Sequence, residues 1–188
     1  MLKKLQSLKA KKGFTLVELI VVIAIIAVLA AILVPTMLGY VTSSRVTSAD
    51  STAASLKDTV GNAMVETDTK GYSVPRSGEK KVELTGGNDG KVTVGGDVDA
   101  STNYPEFAKV IKDKIDEDYN FTKAWKAIVI IKDGKMAGCA YDSTGTESTL
   151  FTDFASASTF TGNYGWPKTD GVATSGNIIG TSPKLIKS

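Results

Sequence analysis

From Phe14 to Val34 the chain is apolar at every position except Thr15 and Glu18. At about 1.5 Å per helical residue such a run spans roughly 31 Å, the thickness of a bilayer core. It follows a lysine cluster and Gly13. Beyond it the pattern changes but stays helical. Val46, Ala49, Ala53, Leu56, Val60 and Ala63 recur at 3-4-3-4-3 spacing, with Ser, Thr, Asp and Lys between them. That is an amphipathic stripe. Gly71 ends it. The economical reading is one helix of about 55 residues, apolar all round in its first half and striped in its second. Pro35 removes a backbone donor and Gly39 adds freedom one turn later, so a bend or a locally melted turn is expected between them.

Past Gly71 the period shortens. Lys81–Thr85 and Lys91–Val94 alternate around Gly86-Gly87-Asn88-Asp89-Gly90, which predicts a hairpin. Asn103 to Tyr119 predicts a short helix, with Pro105 in its first turn and Phe107, Val110, Ile111, Ile115 and Tyr119 on one face. Ala124–Lys132 is the strongest strand pattern. Asp133-Gly134 then predicts a two-residue turn into a second strand that runs through Tyr141. From Ser143 onward Gly, Ser, Thr and Asn dominate, and short strands and loops pinned by Phe151, Phe154, Phe160, Tyr164 and Trp166 are expected. The fold class expected from this order is α+β: a long N-terminal helix whose second half packs on a small antiparallel sheet.

Charge sharpens the division. Lys3, Lys4, Lys9, Lys11 and Lys12 crowd the first twelve residues, which hold no acid. Setting residues 1–13 aside lowers the 22 cations to 17 against 20 acids, a net charge of −3. No cation surplus is left to hold nucleic acid, so there is no firm nucleic-acid signal. The lysines favour a cytoplasmic N-terminus, with the chain after about residue 35 outside, in a single pass. Four regions are expected: 1–13 a leader, 14–35 an apolar transmembrane helix, 36–70 its amphipathic continuation, and 71–188 a globular head.

Candidate chemistry is sparse. The chain has no histidine, which removes Ser-His-Asp, Cys-His and His-ligated metal chemistry. Cys139 is the single cysteine, so no intrachain disulfide forms, and its strand pattern predicts a buried small residue. Asp97-Val98-Asp99 and Asn88-Asp89-Gly90 offer oxygen ligands but do not follow a calcium-loop pattern, and they read as turns. Trp125, Tyr141 and Trp166 read as fold-pinning aromatics, with an adhesive or sugar-stacking surface as the alternative. Asn120-Phe121-Thr122 fits an N-glycosylation triplet. No catalytic residue, metal site or cofactor is expected, and the chain does not read as an enzyme.

A carboxylate inside a membrane-length run costs about 3 kcal/mol at a helix centre and less near an end. Glu18 therefore calls for a partner. The apolar run is too long for a secretory signal peptide and is followed by no A-x-A site. A lipoprotein signal needs a cysteine beside the run. A plain signal anchor accounts for the lysines and the length but not for Glu18.

The stretch KKGFTLVELIVVIAIIAVLAAILVP resembles the class III (prepilin) signal and N-terminal helix of type IV pilins and their relatives, over roughly residues 11–60. The resemblance implies cleavage between Gly13 and Phe14 by a prepilin peptidase and N-methylation of Phe14. It also implies residence in the cytoplasmic membrane among lipid, then transfer by a pilus assembly machinery into a homo-oligomeric helical filament at the cell surface. In that filament Glu18 would meet the Phe14 α-amine of a neighbour, while Pro35 and Gly39 would mark the place where the helix bends or extends. The implied fold is the pilin ladle, and the implied function is a structural pilin, used in adhesion, twitching motility or DNA uptake. The alternatives are a pseudopilin of a secretion or competence system and, from another class, a membrane-anchored surface binding protein or enzyme. Pilins of double-membraned bacteria commonly carry a C-terminal disulfide loop, and the single cysteine departs from that pattern.

Overall fold

The computed structural model describes residues 13–99, 101, 103–119, 121–146, 150–154, 156–160 and 178–183. Asn120, Tyr164, Trp166 and the lysine-rich leader lie outside these. The chain divides into two units, Met1–Thr42 and Ser43–Ser188. The order of elements is α1 (Leu16–Thr69), β1 (Glu79–Gly86), β2 (Val92–Gly96), α2 (Pro105–Asp118), β3 (Trp125–Lys132), β4 (Lys135–Asp142), α3 (Leu150–Asp153), a 3₁₀ turn (Ala157–Phe160) and β5 (Ile179–Ser182).

Helix α1 is continuous through Pro35 and Gly39, so the expected melted turn is not there. Pro35 deprives the Ala31 carbonyl of its usual donor, and the helix carries on past the missing bond. Thr36 Oγ1 donates to the Leu33 carbonyl at 2.8 Å. The helix ends as its last residues dictate. Gly71 takes φ +78°, its N–H donates to Asp68 O at 2.9 Å, and Tyr72 N–H reaches Thr67 O at 3.2 Å. This pair of bonds is the Schellman ending, in which glycine alone adopts the left-handed backbone without a Cβ penalty.

The second unit is α+β. Its five strands are antiparallel in the order β2-β1-β3-β4-β5. Asp133 and Gly134 both have positive φ, 51° and 76°, and close the tight β3–β4 turn, as their sequence predicts. The helical stripe Val46, Ala49, Ala53, Leu56, Val60 and Ala63 is buried at all six positions. Of these, Ala49, Ala53, Leu56, Val60 and Ala63 pack with Phe107, Ile111 and Ile115 of α2 on Val82, Leu84, Ala127, Val129 and Ile131 of the sheet. Cys139 is fully buried in this core, and burial pushes its thiol pKa up, so it stays a neutral apolar filler.

After Ser143 the short strand β5 is as expected, while α3 and the 3₁₀ turn are not, and they cover the other sheet face. There Ile128, Ile130 and Ala140 pack on Leu150, Phe154, Ala157 and Phe160, from α3 and the 3₁₀ turn, and on Ile179. Strand β3 is therefore covered on both faces. Its uninterrupted run Ala127–Ile131 is the mark of such a strand, because alternation requires one wet face. Gly138 makes room for the cover: a Cβ there would stand 2.1 Å from the Phe160 ring.

The C-terminal strand is fastened to α1 by two contacts. Thr181 N–H donates to Asp50 Oδ1 at 2.8 Å. A Cβ on Gly180 would come within 2.0 Å of the Ala49 backbone carbonyl, so β5 approaches the helix more closely than any larger residue permits. Glu66 of α1 pairs with Lys114 of α2 at 2.6 Å, which ties the two helices, and with its own neighbour Lys70 at 2.7 Å.

Candidate functional site

The expected processing and assembly residues all fall in the first unit. Gly13 and Phe14 are exposed in the non-helical lead-in, with Phe14 at 86% exposure. Every Val, Leu, Ile and Met from Leu16 to Leu38 is at least half exposed. Gly39 lies inside the helix, and a Cβ there would meet nothing within 4 Å. An 18-residue window of α1 reaches a mean hydropathy of 3.3 with none of it buried, long and apolar enough to cross a membrane.

Glu18 occupies the third position of α1 and Thr15 its N-cap. The Glu18 carboxylate accepts the Thr15 backbone N–H at 2.8 Å, and the same Oε2 accepts the Thr15 hydroxyl at 2.8 Å. Glu18 N–H donates back to Thr15 Oγ1 at 3.2 Å. This is a reciprocal capping box, which satisfies two of the donors that a helix start leaves open. A carboxylate is also favoured at the positive end of the helix dipole. Glu18 thus has an intrachain partner that the burial argument overlooked, although its signal, Thr-x-x-Glu ahead of an apolar run, stands plainly in the sequence. Both Thr15 contacts go to Oε2, and among the described residues Oε1 accepts no hydrogen bond.

The residues expected elsewhere to act as structure do so. Asp97 Oδ2 accepts Lys81 N–H at 2.9 Å, and Asp99 Oδ1 caps Ser101 through its N–H and hydroxyl. Trp125 and Tyr141 are buried and lie in a ring cluster with Phe121, which stacks on Tyr119. Tyr119 in turn is held to Thr59 of α1 by a 3.0 Å hydroxyl pair.

Comparison with known families matches one, the prokaryotic N-terminal methylation motif, over residues 8–34. No curated protein and no solved structure matches the chain. The match takes in Lys9, Lys11, Lys12, Gly13, Phe14, the capping box and the apolar run of α1 up to Val34. That motif is the class III signal peptide, and it supports a type IV pilin-like family for this chain.

Proposed function

We propose that the chain is a prepilin, cut between Gly13 and Phe14, methylated on the new Phe14 amine, and assembled through its apolar helix as a structural subunit of a type IV pilus-like surface filament. The observation that carries this reading is the methylation motif at residues 8–34 running into a helical surface whose large apolar side chains lie open from Leu16 to Val41. Before assembly lipid covers that surface. In a filament other copies cover it, and the gain is close packing of Ile, Val and Ala, because lipid tails are as apolar as the side chains themselves.

Glu18 fits both stages. A capping interaction contributes about 1 kcal/mol, which offsets only part of the cost of a carboxylate in a membrane-length segment. With Oε2 engaged by Thr15, Oε1 is the atom left for the ammonium that cleavage creates on Phe14 of an adjoining copy. A buried cation and anion are each unfavourable alone and recover much of the loss as a pair. Prepilin peptidase and an assembly machinery in the cytoplasmic membrane are the partners this scheme requires, with the head exported and the leader cytoplasmic.

N-terminal mass analysis of protein from the native cell surface tests the reading. The expected chain begins at N-methylated Phe14. A chain beginning at unmodified Met1, or at any residue after 30, overturns it. Electron microscopy then separates a pilin, which forms long extracellular filaments, from a pseudopilin, which does not.

A further inference from the structure

A half-open groove of about 800 Å³ lies in the second unit, a volume in the range of small-molecule sites. Its floor is largely apolar, with Ala49, Tyr141 and Ile178. Its rim carries Arg45 and Ser48 from α1, Asn88 from the β1–β2 loop, Lys123 ahead of β3 and Ser143 beyond β4. Among the described residues no lining side chain is acidic. The nearby carboxylates have work elsewhere: Asp142 Oδ1 accepts the Thr144 N–H and hydroxyl, Asp89 Oδ1 accepts Lys91 N–H, and Asp50 Oδ1 accepts Thr181 N–H. Among the described residues, Arg45 and Lys123 make no ion pair, although the second unit has more acids than bases.

The remaining polar groups are mostly hydroxyls, which both donate and accept. Asn88 Oδ1 accepts the Ala124 N–H at 2.9 Å, which leaves its amide nitrogen as the group to offer. Burial, then the neighbouring Asp142, pushes the Tyr141 phenol up to about 12, so it stays a neutral hydroxyl. Two unpaired cations on one groove call for an anion, and a guanidinium and an ammonium both suit a carboxylate. Two charges are too few to track a nucleic-acid backbone. Extended peptides are read by strand edges and apolar side-chain pockets. Here the rim offers short hydroxyl and amide side chains instead, the complement of a polyhydroxylated ring.

We propose that this groove binds an acidic saccharide, with its carboxylate on Arg45 and Lys123 and its ring hydroxyls on Ser48, Asn88 and Ser143. The proposal is independent of the filament reading, since it concerns only residues of the second unit.

Isothermal titration of the full chain in detergent micelles, with trigalacturonate, maltotriose and triglutamate as probes, tests it. Trigalacturonate is expected to bind at least tenfold more tightly than either other probe, and more weakly as salt rises. The double substitution R45A/K123A is expected to lower its affinity at least tenfold with an unchanged circular dichroism spectrum. S48A/S143A is expected to lower it severalfold. Equal affinity for maltotriose removes the anion requirement, and equal affinity for triglutamate removes the sugar. Absence of trigalacturonate binding at millimolar concentration, or undiminished binding by R45A/K123A, overturns the site.

Discussion

The two halves of α1 share one backbone but meet different surroundings. Between Phe14 and Val41 the large apolar residues lie on all sides of the helix and are exposed. Between Val46 and Thr67 a stripe of eight residues is buried and most of the rest is polar, Val65 being an exposed exception. Among the described residues the first half has no cover for its large apolar side chains, which is what the proposed lipid and filament contacts would supply. The second half finds its cover in the sheet and α2. Helical propensity alone distinguishes the halves poorly; the width of the apolar surface distinguishes them clearly.

Substitutions that separate the halves sharpen this comparison. The largest effect is expected from Gly180→Val, which drives a side chain into the Ala49 carbonyl and undocks β5. A loss of about 3 kcal/mol or more in urea denaturation of the second unit is expected, as for severe overpacking. Next comes a matched pair. Leu56→Ala, at a fully buried position, should cost about 3 kcal/mol, while Leu29→Ala, exposed at 53%, should leave the same transition within about 0.5 kcal/mol. Equal effects would erase the distinction between the halves.

Glu18→Ala should leave cleavage at Gly13–Phe14 largely intact but lower incorporation into filaments about tenfold, a difference of about 1.4 kcal/mol. Quantitative blotting of sheared surface protein reads it, and normal yield removes the charge-pairing role. The smallest effect concerns Glu66. Hydrogen bonds from Lys114, then Lys70, lower its pKa from 4.5 to about 2. A carboxylate whose folded pKa is depressed contributes stability above its unfolded pKa and loses it as pH falls toward the folded one. Stability should therefore drop modestly from about pH 4.5 down to about 2, and Glu66→Gln should flatten that part of the profile. The side chains of the pair remain about a third open to water, so the slope is shallow and fades in high salt.

Much of this was legible from local pattern. The 3-4 spacing from Val46 to Ala63 named the buried face residue by residue, and Asp133-Gly134 placed a turn whose two positive φ values follow from those side chains. Pro35 was harder to read, because the loss of one backbone bond at a proline does not by itself decide whether the helix melts there or carries on, as this one does. Thr15 and Glu18 were both in view, but the depth of the charge drew attention from the spacing that pairs them.

The chain itself determined the membrane-length run, the stripe, the helix endings and the methylation motif, since each is set by residues within a few positions of one another. The tertiary structure decided the rest. It covered the second sheet face with α3 and the 3₁₀ turn, laid Gly180 on Ala49 across 131 residues, and drew Arg45, Asn88 and Lys123 around one groove. Periodicity records which face of an element avoids water, but only long-range packing selects what covers that face.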